Sequence, residues 1–196
     1  LNWHSQLPLL DPAFVCNNRI DANLIFPGGL SFSARKRGWA CDNVLGYEVV
    51  LGNGSIVSAT ATSNPDLWLA LKGGSNNFGI VTRFDLKTFA QKGILGGVVG
   101  FNYSKTVLDA QAQAFSSFMQ PKNFDPEAMM GVLITNVNGV SAVANSLFYL
   151  APGVNPPAIY KPFLSIPGQV SNNLVVADTA TIVNNFGAFT PPQLAR

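Results

Sequence analysis

Two stretches of alternating apolar and polar residues, each interrupted by an Asn-Gly pair, constrain this chain more than any other feature. Tyr47, Val49 and Leu51 alternate through Glu48 and Val50; Asn53-Gly54 intervenes, and Ile56-Val57-Ser58-Ala59-Thr60 resumes. Met129–Thr135 and Val140–Tyr149 flank Asn138-Gly139 in the same way. A period of two is the signature of a strand. Asn-Gly suits a two-residue type I′ turn, whose central positions both need positive φ. Each stretch therefore predicts an antiparallel hairpin. Hairpins set beside helices argue for an α+β chain over a doubly wound parallel sheet.

The helices are marked by their ends. Asn64 stands as N-cap before Pro65 and Asp66, the stripe Leu67, Trp68, Leu71 follows, and Gly73-Gly74 stops the run. Ser104 predicts a cap for a helix whose apolar stripe is Leu108, Ala112, Phe115 and Met119. Asn155-Pro156-Pro157 opens a short helix reaching Phe163-Leu164, and Asp178 caps another containing Ile182, Val183 and Phe186, closed by Gly187. Between them, Gly79 to Phe89 alternates as a strand with Ile80, Thr82, Phe84 and Leu86 on one face and Arg83, Asp85 and Lys87 on the other. Ile94 to Phe101 reads as a glycine-rich strand. Residues 1–26, with Pro8, Pro12 and Asn17-Asn18, carry no period and read as irregular.

Composition removes several classes of function. Twelve Lys and Arg against ten Asp and Glu leave a net charge of +2, without the basic face of a nucleic-acid protein. No apolar run reaches the ~18 residues of a membrane span. Neither nucleic acid nor membrane is an expected partner. His4 is the only histidine, and Cys16 and Cys41 are the only cysteines. That is too few for a thiolate or imidazole zinc cage, and any Ser-His-Asp site would depend on His4 alone. No catalytic residue and no metal ligand is assigned. Two sequons, Asn53-Gly54-Ser55 and Asn102-Tyr103-Ser104, permit glycosylation if the protein is exported. The chain opens with Leu and carries no signal-like segment, so its compartment stays open, with secretion compatible with the sequons.

Two glycine-rich segments remain: Pro27-Gly28-Gly29-Leu30-Ser31-Phe32 and Lys72-Gly73-Gly74-Ser75-Asn76-Asn77-Phe78-Gly79-Ile80-Val81-Thr82. Neither has the GxGxxG or GxxxxGK[ST] spacing of a Rossmann or P-loop site. Bare main chain of this kind admits close approach of a planar or anionic ligand. Taken in order with Arg37-Gly38-Trp39-Ala40-Cys41-Asp42-Asn43-Val44, Glu48-Val49-Val50-Leu51-Gly52-Asn53-Gly54-Ser55-Ile56-Val57 and Asn64-Pro65-Asp66-Leu67-Trp68, the segments form a succession of motifs. It resembles the second half of the FAD-binding domain of berberine-bridge-enzyme-like oxidases, in the vanillyl-alcohol-oxidase or PCMH-type superfamily. Phe124-Asp125-Pro126, Pro156-Pro157-Ala158 and Pro162-Phe163-Leu164 are similar to the start of that family's substrate domain.

The resemblance implies a divergent segment over 1–26, part of a PCMH-type FAD-binding domain over 27–90, and part of a substrate domain, an antiparallel sheet with helices, over 91–196. It implies FAD as cofactor and a small-molecule substrate whose C–H passes hydride to the flavin, which dioxygen reoxidises. Gly28 and Gly29 would pass against the flavin and its pyrophosphate, Asn43 would position the neighbouring turn, and Gly79, Ile80 and Val81 would present main chain to the cofactor. The two glycine stretches are expected to converge on one slot. The family's phosphate-binding loop and its C-terminal catalytic segment do not occur in these residues, which reads as truncation at both ends. That absence keeps a second reading open, a relative that folds without flavin and catalyses nothing. The neighbours of Cys16 do not match the motif of a flavin-linked cysteine, so covalent attachment is not expected.

Overall fold

The computed structural model describes residues 15–16, 19–20, 28–137, 139–151, 153 and 156–187. The chain divides into two compact units, Leu1–Ala90 and Gln91–Arg196. Both are antiparallel sheets backed by helices, the α+β class expected from the hairpins. Of residues 1–26 only the two-residue strands β1 (Val15–Cys16) and β2 (Arg19–Ile20) are described, paired antiparallel; the rest of that segment lies outside the described residues.

In the first unit, α1 (Ala34–Arg37) and a 3₁₀ turn (Ala40–Asn43) lead into β3 (Val44–Val50). β4 (Ile56–Thr60), α2 (Pro65–Leu71) and β5 (Ile80–Leu86) follow. β3 is the central strand, antiparallel to β4 on one side and β5 on the other. Val44, Tyr47, Val49, Ala59 and Leu71 are buried together, with Trp68, Val81, Phe84 and Leu86 packed against them. Trp68 belongs to this core, as its helical position predicted, and its Nε1 donates to Val44 O at 3.2 Å.

Three local expectations change. The first hairpin does not turn through a type I′ pair: Gly54 N–H donates to Leu51 O, and within 51–55 only Gly54 has positive φ. This is the longer loop in which one left-handed glycine follows an ordinary turn. Asn64 occupies the N-cap of α2, but its side chain caps nothing there; its Nδ2 reaches back to Ser58 O at 2.9 Å. Most consequentially, β5 bulges. Val49 pairs with Val81 and Glu48 with Arg83, leaving Thr82 as the extra residue. One inserted residue reverses the faces on either side of it, so Val81, not Ile80, joins Phe84 and Leu86 in the core, and Ile80 is 71% exposed.

In the second unit, β6 (Ile94–Asn102) is followed by α3 (Lys105–Phe118), β7 (Ala128–Val137) and β8 (Val140–Tyr149). α4 (Lys161–Leu164), β9 (Gln169–Asn172), β10 (Val175–Ala177) and α5 (Thr179–Gly187) complete it. β7 and β8 form the predicted hairpin, paired out to Val137 and Val140; Asn138 lies outside the described residues. β9 and β10, which carry no clear period, both pair with β6. Asn173 between them substitutes for ladder pairing, accepting Val98 N–H on its Oδ1 at 2.5 Å and donating its own N–H to Val98 O.

Ser104 caps α3 as expected, its hydroxyl accepting Val107 N–H at 3.2 Å. The buried stripe of α3 is Val107, Gln111, Ala114 and Phe118, one residue out of step with the predicted one; Met119 is 59% exposed. The helix packs on Val99, Phe101, Val143 and Leu147 of the sheet, joined by Tyr160 and Phe163.

Candidate cofactor site

The segment from Gly28 to Asn43 is short of regular structure and is held by specific bonds. Gly28 O accepts Cys41 N–H and Gly29 O accepts Ala40 N–H, both at 2.9 Å. Trp39 N–H donates to Asp42 Oδ2 at 2.8 Å, closing the 3₁₀ turn on itself. Asn43 is buried, and its Nδ2 donates to Arg37 O at 3.2 Å and Trp39 O at 3.0 Å. Its carbonyl accepts Lys87 N–H at 2.8 Å. A single amide side chain therefore joins the end of α1 to the entry of β3, while its main chain reaches the exit of β5. The Arg37 guanidinium lies over the Phe89 ring at 3.3 Å from the centroid.

Gly28 and Gly29 are both buried, and both have positive φ, +109° and +74°. Side chains are disfavoured in that conformation. No heavy atom among the described residues lies within 4 Å of where a Gly28 Cβ would stand. Among the described residues, the N–H groups of Gly28 and Gly29 find no acceptor. Buried amides are nearly always paired, so this turn offers two donors whose acceptor is not among the described residues. Those residues fit a group approached through main chain.

Gly79 differs. Its φ is +140°, and an added Cβ would lie 2.5 Å from Val50 O and 2.9 Å from Val49 Cγ1. Glycine is needed there because β5 meets β3 too closely for a side chain. Ile80 opens β5 opposite Val50 with its side chain outward, and Val81 packs inward against Val49 and the first unit's core.

The expected single slot is not formed. Gly28 and Gly29 are tied to the residues just before β3, whereas Gly79 lies against the strand's last residue. Val44 and Val50 are separated by six residue steps, about 20 Å at the strand rise. The two stretches mark opposite ends of β3.

Cys41, whose N–H anchors Gly28, has a buried free thiol. Burial pushes its pKa up, and the neighbouring Asp42 carboxylate adds to the shift. It is thus poorly suited to act as a thiolate. Burial likewise raises the Tyr47 hydroxyl, with Cys41 as the smaller cause. Among the described residues no group of three or more His, Cys, Asp or Glu side chains could hold a metal, and no helix is long and apolar enough to cross a membrane.

No protein-family model matches the chain. Among curated proteins, an FAD-dependent monooxygenase, tpcD of Cochliobolus heterostrophus, is 38% identical over 161 residues, covering 82% of this chain and 30% of its own length. Oligopeptidase PhomG′ of Diaporthe leptostromiformis is 37% identical over 81% of this chain, but the match takes only 13% of that protein. A variant of the BBE-like 1 protein of Physcomitrella patens superposes with a TM-score of 0.76 at 25% identity, over 95% of this chain and 40% of that one. The chain spans about a third or less of the length of the curated relatives it matches. The motif succession from Gly28 to Phe84, the two antiparallel units and these relatives agree: the chain belongs to the berberine-bridge-enzyme-like FAD-linked oxidoreductases, of the VAO or PCMH type.

Proposed function

We propose that the first unit holds FAD along β3 and that the protein serves the oxidation of a small-molecule substrate. The observation that carries this reading is the Gly28-Gly29 turn, where two buried amides find no acceptor among the described residues. Such amides suit the oxygens of a pyrophosphate or the edge of a flat heterocycle. Asn43 keeps that turn in register with β3 through its bonds to Arg37 O and Trp39 O. At the other end of β3 the main chain of Gly79, Ile80 and Val81 is the second point of contact. A separation of about 20 Å along a strand suits a dinucleotide lying extended, with different parts at the two stretches.

When bound, the flavin supplies acceptance of hydride from a substrate C–H and reoxidation by dioxygen. The contribution of this chain is to orient the cofactor. No acid or base is assigned to His4 or to the tyrosines.

Flavin retention tests the reading. The purified protein is expected to carry flavin absorbance or to acquire it on incubation with FAD. Gly28→Ala should lower retention at least tenfold with an unchanged far-ultraviolet circular dichroism spectrum. A folded protein that stays colourless after incubation with excess FAD would support the alternative of a relative without flavin.

A further inference from the structure

We propose that Asn53 is an acceptor for an N-linked glycan, and that the second sequon, at Asn102, is a poor one. Two features of the β3–β4 loop and a contrast with Asn102 support this.

The first is exposure. Residues 52–56 are all exposed, and neither Gly52 nor Gly54 has a heavy atom within 4 Å of its Cβ position. A bulky, hydrated oligosaccharide can stand on the hairpin tip without displacing a packed group.

The second is the state of the acceptor amide. Asn53 Oδ1 accepts Ser55 N–H at 3.0 Å and the Ser55 hydroxyl at 2.7 Å. Both bonds draw electron density toward the carbonyl oxygen of the side-chain amide. Among the described residues Nδ2 of Asn53 has no acceptor of its own. The sequon serine is thus bonded to the asparagine it serves.

The third is the contrast with Asn102. It is the last residue of β6, paired with Ala142, and its N–H is bound to Gly168 O at 3.0 Å. Its serine, Ser104, is engaged elsewhere, since the hydroxyl accepts Val107 N–H and caps α3. The same three-residue pattern therefore serves as a free hairpin tip in one place and as a strand end joined to a helix cap in the other.

The chemistry is a group transfer from a lipid-diphosphate-linked oligosaccharide. Nδ2 of Asn53 forms a bond to the anomeric carbon, and the bond from that carbon to the diphosphate oxygen breaks. The lipid diphosphate leaves with the electron pair, and one amide proton passes to the transferase base. The amide stays an amide, so the hairpin hydrogen bonds to Oδ1 survive.

The test is expression through the secretory route of a fungal host behind a cleavable leader, followed by treatment with peptide N-glycosidase and peptide mass mapping. Enzymatic release converts a glycosylated Asn to Asp, so the Asn53 peptide is expected to carry that conversion in most molecules and the Asn102 peptide in few. Asn53→Gln and Ser55→Ala should each abolish the mobility shift on release, Ser55→Thr should preserve it, and Asn102→Gln should leave it unchanged. These substitutions lie at exposed positions, and circular dichroism of each secreted variant checks that it folds. Secreted, folded protein in which Asn53 is unmodified, or in which Asn102 carries the glycan instead, would overturn the assignment. So would an unmodified Asn53 peptide in protein taken from the organism that makes it.

Discussion

Asn145 Nδ2 donates to Gln111 Oε1 at 3.0 Å across the interface of β8 and α3, with both residues buried. Gln111 Nε2 and Asn145 Oδ1 have no partner among the described residues. One bond therefore stands against two buried polar atoms. A buried polar group that loses its partner costs more than a made bond contributes. Gln111→Leu or Asn145→Leu alone should destabilise the second unit by about 1–3 kcal/mol. Gln111→Leu with Asn145→Leu should cost much less than the sum of the single changes, because the paired apolar side chains bury no orphan atom. Urea unfolding of the four proteins forms the cycle, and additive costs would show that the two amides act independently.

The same pair explains what could be read in advance and what could not. Ser104 and Asp178 were legible as caps because capping is local, and both side chains accept a helix N–H as expected. The hairpins were legible because alternation and Asn-Gly lie within a dozen residues of each other. The phase of α3 was not, because its buried stripe includes Gln111, whose partner Asn145 is 34 residues away. A pattern of apolar residues assigns Gln111 to solvent and rotates the helix accordingly. The face of Ile80 was hidden for a similar reason: the bulge at Thr82 exists only in the pairing of β5 with β3, where Thr82 Oγ1 donates to Glu48 Oε1 at 2.7 Å. Likewise β9 and β10 depend on Asn173 reaching Val98 across the sheet. At the candidate site, the glycines of the two stretches were legible as residues, but their different physical reasons were not.

That difference makes Gly28 and Gly79 separable. Gly79→Val places carbon against Val50 O and Val49 Cγ1 at an unfavourable φ. Overpacking and backbone strain each cost about 1–3 kcal/mol, so the variant should lose several kcal/mol of first-unit stability. Its loss of flavin would then follow from unfolding. Gly28→Ala adds carbon where no heavy atom of the described residues lies within 4 Å, so its expected cost is backbone strain of about 1–3 kcal/mol. Thermal melts of both variants without FAD check this, and equal melting temperatures would show that the close approach at Gly79 is relieved by movement of the loop.

Two buried tyrosines should respond in opposite directions to loss of the hydroxyl. Tyr160 Oη lies 2.5 Å from Phe148 O and 3.0 Å from Met129 O and donates to this carbonyl pair. Tyr160→Phe removes the donor and is expected to cost about 1–3 kcal/mol. The Tyr47 hydroxyl is buried with no hydrogen-bond partner among the described residues, while its ring packs edge-on to Phe84 at 5.6 Å. Tyr47→Phe keeps the ring and removes the unpaired atom, so stability should be unchanged or rise by up to ~1 kcal/mol. Denaturant midpoints measure both, and a destabilising Tyr47→Phe would mean that its hydroxyl has a partner, such as bound water.

Asp178 should give the end of the chain an acid-sensitive helix. Its carboxylate accepts Thr181 N–H at 2.9 Å and the Thr181 hydroxyl at 2.8 Å, and these bonds hold its pKa below the ordinary 3.8, the backbone bond contributing most. Because the folded-state pKa is the lower one, the carboxylate contributes its stabilisation in full above the ordinary value. That contribution declines below it and is lost as pH falls through the folded-state pKa. The first turn of α5 is therefore expected to exchange its amide protons faster as pH drops below about 4, after correction for intrinsic exchange. Asn is nearly as good an N-cap as Asp but does not titrate. Asp178→Asn should match the parent protein near pH 7 and show no corresponding loss in acid, as read by hydrogen exchange at Thr181. A parallel acid response in both proteins would assign the effect to another carboxylate.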